Sequence, residues 1–216
     1  MPTRVLLADD HTLLRQGLRH ILESHEDFEV VAEASSGVEA VEAARTYKPD
    51  VAIVDVAMKE LNGIEATLQI LQCSPDTSVL ILSMYDDERY VTRAVKAGAR
   101  GYLLKNSAGD ELIQAIHDVQ KGLAFFSPAV AAIFQTGSAR IQEGGAGVDD
   151  RFELLTNRER QIYQLLAEGN SNKDIANHLH LSLHTVETHR WRVMEKLDLH
   201  STAELVLSAV RRGVVS

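Results

Sequence analysis

Four apolar runs end in side chains that can do chemistry. Val51-Ala52-Ile53-Val54 runs into Asp55, and Val5-Leu6-Leu7-Ala8 runs into the pair Asp9-Asp10. Val79-Leu80-Ile81-Leu82 ends in Ser83, and Gly101-Tyr102-Leu103-Leu104 ends in Lys105. Continuous apolar runs of this length are the habit of strands buried on both faces of a parallel sheet. Open α/β sheets place their ligands at the carboxyl ends of such strands. Asp9, Asp10 and Asp55 are therefore expected in one pocket. Crowded carboxylates repel, so such a cluster usually holds a cation. An oxygen-only set suits Mg²⁺, which keeps several waters and bridges to phosphate. Asp55 is then a nucleophile toward phosphorus, with Mg²⁺ offsetting the charge on the transferred group. Ser83 and Lys105 supply a hydroxyl and an ammonium for the phosphoryl oxygens. Taken singly, Asp9 and Asp10 serve equally well as caps of the helix that follows. Their joint placement with Asp55, Ser83 and Lys105 selects the pocket.

The elements that must position these residues alternate regularly. Leu14, Leu18, Ile21 and Leu22 recur at helical spacing and predict a helix from about His11 to Ser24. A strand follows at Phe28 to Ala32, and a helix at Gly37 to Tyr47 with Val38, Val41 and Ala44 as its stripe. Asn62-Gly63 turns the chain into a helix carrying Ile64, Leu68 and Leu71. Further helices are expected from Glu88 to Ala97, closed by Gly98, and from Ala108 to Lys121. Five strand–helix alternations with short loops mean a five-stranded, doubly wound parallel sheet over residues 1–121, of the flavodoxin-like kind. Residues 122–150 read as a linker, with a short helix at about Pro128 to Phe134 and a glycine-rich flexible stretch from 137.

Residues 151–216 change character. Thr156-Asn157-Arg158-Glu159 and Ser201-Thr202-Ala203-Glu204 have the form of capping boxes. Ser171 and Ser182 each precede a further helical stripe, and Gly169 and Gly213 stand where helices should stop. Four short helices form a small all-α domain whose second and third make a helix-turn-helix pair.

Composition limits the alternatives. The net charge is −9; residues 1–150 carry −10 and residues 151–216 carry +1, with locally basic stretches, which suggests different partners for the two parts. The single Cys73 excludes an internal disulfide framework and fits a reducing compartment. No Cys/His group has zinc-site spacing. The chain enters a strand pattern at once, with no apolar signal segment, and no run approaches the ~20 apolar residues a bilayer span needs. A cytoplasmic protein without membrane contact is expected.

Residues 1–121 resemble a response-regulator receiver domain, on Asp9-Asp10, Asp55, Ser83, Tyr102 and Lys105 in that order. The resemblance implies that Asp55 takes phosphate from a sensor histidine kinase. It implies that Asp10, Asp55 and the backbone carbonyl of Ala57 ligate Mg²⁺ with Asp9 acting nearby, and that Ser83 and Tyr102 form a switch pair in which Tyr102 rotates inward. Two positions depart from common receivers: Lys59 follows Met58 where a proline is usual, and Asn106 follows Lys105 where a cis proline is usual. A cis bond before a non-proline residue costs ~2.5–4 kcal/mol. Ala57 and Tyr85 flank the path of hydrolytic water, and neither carries a carboxylate or amide to orient it. Slow autodephosphorylation is therefore expected.

Residues 154–214 resemble the LuxR-type helix-turn-helix of the NarL/FixJ response regulators, on Leu155-Thr156-Asn157-Arg158-Glu159, Ser171-Asn172-Lys173-Asp174-Ile175-Ala176 and Thr185-Val186-Glu187-Thr188-His189-Arg190. A recognition helix shows its N-terminal face to base edges. Glu187, Thr188 and Trp191 share an outward face by spacing, with Thr185 at the helix start. His189, Arg190, Arg192 and Lys196, with Lys173 on the preceding helix, can neutralise phosphates. The alternative for Trp191 is packing between helices. In this family the last helix forms the dimer contact, which here falls on Leu205, Val206 and Ala209, and the alternative is that this stripe belongs to the core. The reading that joins both parts is a DNA-binding transcription regulator, dimeric on paired half-sites when Asp55 is phosphorylated. Two others remain: a phosphorelay or scaffold module that does not bind DNA, and a hydrolase with an aspartyl nucleophile, against which Ala57 stands where a second acid is usual.

Overall fold

The computed structural model describes residues 1–132 and 150–215. The chain divides into two compact units, Met1–Gly144 and Gly145–Ser216.

The first unit alternates β1 (Thr3–Ala8), α1 (Thr12–Glu23), β2 (Phe28–Ala34), α2 (Gly37–Tyr47), β3 (Val51–Asp55), α3 (Gly63–Cys73), β4 (Ser78–Ser83), α4 (Glu88–Lys96), β5 (Gly101–Leu104), α5 (Ala108–Gln120) and β6 (Phe125–Phe126). All pairings are parallel, in the order β2-β1-β3-β4-β5-β6. The apolar runs are continuous because both faces are covered. Leu6, Ala8, Ala52, Val54, Val79 and Ile81 point to the side where Ala40, Ile64, Ile70 and Val91 pack. Val5, Leu7, Val51, Ile53, Leu80 and Leu82 point to the other side, against Leu18, Leu22, Leu112 and Ile116. The strand order reverses at β1, so the carboxyl ends of β1 and β3 border a crevice.

Five strands were expected, and six are present among the described residues. The sixth is two residues long, Phe125 and Phe126, pairing with Gly101 and Tyr102. Two residues carry no periodicity, so nothing in the pattern marks them as a strand. Residues 128–132 are helical. The rest of the expected linker helix, and the glycine-rich stretch up to 149, lie outside the described residues. Gly63 is required beside the crevice: a Cβ there would stand 1.9 Å from the carbonyl oxygen of Asp55. Asn62 caps α3 by accepting from the Ile64 and Glu65 amides.

Among its described residues the second unit has a 3₁₀ turn (Asp150–Leu154) and four helices: α6 (Asn157–Ala167), α7 (Asn172–His178), α8 (Leu183–Leu197) and α9 (Thr202–Arg211). Thr156 and Glu159 form the expected capping box, and Ser171 with Asp174 forms another. At α9 only half of the expected box is made. Ser201 accepts from the Glu204 amide, but the Glu204 carboxylate takes the amide of His200. Gly169 and Gly213 have φ of +88° and +62° where α6 and α9 end. Ile162, Tyr163, Ile175, Val186, Val193, Leu197, Leu205 and Ala209 form one core. No helix among the described residues is long and apolar enough to cross a membrane.

Candidate functional site

Asp9 follows β1 and Asp55 ends β3; both are 2% exposed, and Asp10 beside them is partly buried. Lys105, just past β5, reaches over with its Nζ 2.8 Å from Asp9 Oδ2 and 2.8 Å from Asp55 Oδ2. One ammonium is thus shared between two almost wholly buried carboxylates, with the carboxylate of Asp10 beside them. Burial pushes the Asp55 carboxyl above the usual carboxylate range, and the neighbouring Asp9 charge adds to this. Lys105 and the amide of Ala57 pull the other way. Burial also works against the Lys105 ammonium, but its contacts with Asp55 and Asp9 more than offset that and hold its pKa above the ordinary value. Three carboxylates around one ammonium leave negative charge over. Clustered carboxylate oxygens with excess negative charge are what a hard divalent cation uses, so the residues fit Mg²⁺.

Ser83 is fully buried beside this pocket, its Oγ accepting from the Tyr85 amide at 3.0 Å. Tyr102 is also fully buried, and its hydroxyl donates to the Tyr85 carbonyl at 2.7 Å. Burial pushes that phenol upward, so it stays neutral. The Tyr102 ring lies in the interior with its hydroxyl bonded to backbone. Among the described residues no peptide bond is cis, and Asn106 follows Lys105 through a trans bond. Tyr85 stacks on Tyr90, centroids 4.5 Å apart and nearly parallel.

One residue of the pocket escaped the sequence reading. His11 places Nδ1 2.8 Å from Asp10 Oδ1 and 3.2 Å from Asp9 Oδ1. The available signal was its position directly after the acid pair.

The recognition-helix residues divide in two. Glu187, Trp191 and Arg192 on α8, and Lys173 on α7, are exposed. Trp191 is 61% exposed, which excludes packing between helices of this unit. Thr185 shares a 2.8 Å hydrogen bond with Ser182, and the Thr188 hydroxyl donates to the His184 carbonyl. The other three are turned into the domain, contrary to expectation. Lys196 Nζ donates to Glu159 Oε2 at 2.6 Å and to the Leu154 carbonyl at 2.9 Å. Arg190 donates to Asn172 Oδ1 and Thr202 Oγ1, tying α8 to α7 and to α9. His189 is half-buried with Nδ1 unpartnered, and burial pulls its pKa down, so it is not a standing cation. A helix rotates about 100° per residue, so cations close in sequence serve different faces.

The expected dimer stripe is corrected likewise. Leu205 and Ala209 are 1% and 0% exposed and belong to the core; Val206 is half-buried. The apolar side chains that α9 shows to solvent are Leu207 and Val210, at 56% and 50%.

Residues 5–117 match the family described as the response regulator receiver domain, and residues 153–209 match the bacterial regulatory proteins of the luxR family. The chain is 38% identical over 214 residues to the oxygen regulatory protein NreC of Staphylococcus carnosus, covering 98% of this chain and 99% of that protein. Among solved structures, the RcsB response regulator of Salmonella typhimurium aligns over 97% of this chain and 99% of its own, at 26% identity and a TM-score of 0.58. A complex of RcsB with DNA aligns over 97% of this chain and 98% of its own, at 25% identity and a TM-score of 0.59.

Proposed function

The chain belongs to the response regulators that join a receiver domain to a LuxR-type DNA-binding domain, a family of two-component transcription regulators, and from that membership we propose that Asp55 is the phosphoacceptor and the α8 face the DNA reader. One observation supports the first half: the Lys105 ammonium bridges the buried carboxylates of Asp9 and Asp55, with Asp10 beside them, at the carboxyl ends of β1 and β3. An Asp55 oxygen attacks the phosphorus of a kinase phosphohistidine. The P–N bond breaks, the imidazole leaves with a proton, and an acyl-phosphate forms on Asp55. Asp9, Asp10, Asp55 and the Ala57 carbonyl would hold Mg²⁺, which when bound neutralises charge on the transferred group. Lys105 exchanges a carboxylate contact for a phosphoryl oxygen. Ser83 gives up the Tyr85 amide and donates its hydroxyl to another. Those two changes both touch the Tyr85 backbone, whose carbonyl holds Tyr102.

Autodephosphorylation is slow in this reading. Ala57 has no group to orient water, and the stacked Tyr85–Tyr90 pair adds bulk beside Ser83.

In the second unit, Lys173 and Arg192 contact phosphates, while Glu187, Thr188 and Trp191 face base edges with Thr185 near them. Glutamate accepts from cytosine N4, and the indole packs on a thymine methyl. Arg190 and Lys196 hold the helix in place, and His189 is half-buried beside them. A dimer on paired half-sites forms through Val206, Leu207 and Val210.

The test is phosphorylation by a small-molecule phosphoryl donor with Mg²⁺, read by intact mass and by mobility shift on genomic fragments. Wild type should gain one phosphoryl group that persists for minutes, and should bind DNA more tightly. Asp55→Asn should gain none. Uptake by Asp55→Asn would end the phosphoacceptor reading, and a lifetime of seconds would end the slow-hydrolysis reading. Leu207→Glu should keep phosphoryl uptake and lose the dimeric DNA complex.

A further inference from the structure

We propose that His11 is an additional ligand of the acidic pocket, and that the pocket takes a borderline first-row divalent cation, of the Mn²⁺, Co²⁺, Ni²⁺ or Zn²⁺ class, in preference to Mg²⁺. The inference rests on reading the pocket as a cation site and deepens it. One ring nitrogen of His11 and one carboxylate oxygen from each of Asp9, Asp10 and Asp55 all lie within 4.8 Å of one another. Ligands about 2.1 Å from a shared ion stand roughly 3 to 4.3 Å apart, so small side-chain rotations close the set.

The backbone prepares this position. The amide of His11 donates to Asp9 Oδ1 at 2.7 Å, which fixes the turn between β1 and α1 and sends the imidazole back over the acid pair. His11 is the N-cap residue of α1, and its side chain makes no capping bond, so the ring is not committed to the helix end. Its Nδ1 faces Asp10 Oδ1 and Asp9 Oδ1 instead, with the side chain 67% exposed and therefore free to turn. Independently of the histidine, Asp9 and Asp55 are almost wholly buried and share the single ammonium of Lys105, so with Asp10 beside them the cluster holds buried negative charge in excess of that ammonium.

The chemistry then sets the preference. Mg²⁺ takes oxygen donors and dehydrates reluctantly, so a nitrogen beside the carboxylates gives it little. Imidazole is a good donor to first-row transition ions, and affinity at mixed nitrogen–oxygen sites rises from Mn²⁺ through Co²⁺ to Ni²⁺. An O₃N set should therefore separate these ions from Mg²⁺ where an O₃ set would separate them less.

The experiment uses the full-length chain as wild type, His11→Ala and Asp55→Asn. Calorimetric titrations with Mg²⁺ and Ni²⁺ are paired with pulsed EPR of the Mn²⁺-loaded protein, which detects the ¹⁴N coupling of a directly bound imidazole. Wild type should bind Ni²⁺ more tightly than Mg²⁺ and show the nitrogen coupling. Loss of partners that merely orient a ligand costs about 10–100-fold in metal affinity, so His11→Ala should lose about tenfold or more for Ni²⁺. It should keep Mg²⁺ affinity within about twofold and abolish the coupling. Equal losses for both ions, or no nitrogen coupling in wild type, would overturn the proposal. Asp55→Asn separates the two levels of the argument. If it leaves Mn²⁺ binding unchanged, the ion is elsewhere and the pocket reading fails with the inference. If it removes binding while His11→Ala changes nothing, only the role of His11 is lost.

Discussion

Lys105 and Lys196 look alike: each is an ammonium laid on a buried carboxylate. Around Lys105 the carboxylates are under-supplied, because one ammonium is shared between the buried Asp9 and Asp55 with Asp10 beside them. Around Lys196 one carboxylate oxygen has three donors. Glu159 Oε2 accepts from the Thr156 amide at 2.8 Å and from its hydroxyl at 3.0 Å, and Lys196 completes the set. Thr156 and Lys196 hold the Glu159 carboxyl below its ordinary value against the cost of burial, whereas Asp55 is pushed above its own. The first arrangement has capacity left for a ligand, and the second is a brace. Buried charge alone does not mark a site; unsatisfied buried charge does.

The largest effect expected from this contrast is at Lys105. Removing one partner of a buried ion pair costs about 3–5 kcal/mol, and Lys105→Ala strands two carboxylates that are almost wholly inaccessible, Asp9 and Asp55. Urea unfolding in chelator should show the receiver unit weakened by about that amount, and millimolar Mg²⁺ should restore much of it. Failure of the cation to rescue would mean that the pocket is a brace as well.

Lys196→Ala should cost less, about 2 kcal/mol, because Glu159 keeps its two Thr156 donors and Lys196 itself is partly exposed. The single Trp191 lies in the helical unit, so its fluorescence follows that unit during denaturation. Mg²⁺ should not rescue this variant. Rescue would erase the distinction drawn between the two lysines.

A third comparison sets Arg192 against Lys196. Each phosphate contact removed lowers the slope of log affinity against log salt by about 1. Arg192→Ala should do so while leaving stability within about 0.5 kcal/mol, and Lys196→Ala should leave the slope intact. Equal slopes for wild type and Arg192→Ala would move the DNA contact elsewhere on α8.

The two units differ in the same way in how far their sequences can be read. Asp9, Asp55, Ser83 and Lys105 converge because parallel strands buried on both faces deliver their last residues to one edge, whatever the details of the helices. The fold follows from those runs, apart from β6, whose two phenylalanines are too few to show a period. On α8 the residue types suggest DNA equally well for Arg190, Arg192 and Lys196, yet only Arg192 is free. Which cation points outward depends on partners far along the chain: Thr202 for Arg190, and Glu159 for Lys196. The same holds for α9, where Leu205 and Leu207 are the same residue type and only the core decides between them. His11 was missed for a different reason. A histidine between a strand and a helix is unremarkable until its ring is seen over the acid pair.

The smallest expected effect concerns His189, which sits between the exposed and the bracing halves of α8. Burial pulls its pKa below 6.5, and Arg192, Arg158 and Lys196 act in the same direction while Glu159 opposes them. The unfolded chain therefore binds a proton that the folded unit refuses. Stability from this source is complete above the unfolded value and is lost as pH falls through 6.5 toward the lower folded value. Glu159, held below its ordinary 4.5, is lost only at more acid pH and leaves the window between about pH 7 and 5 to the histidine. Trp191 fluorescence should show the unfolding midpoint falling across that window in wild type and falling less in His189→Gln. Identical slopes would mean that His189 titrates freely, and it would then rejoin the residues available to DNA phosphates.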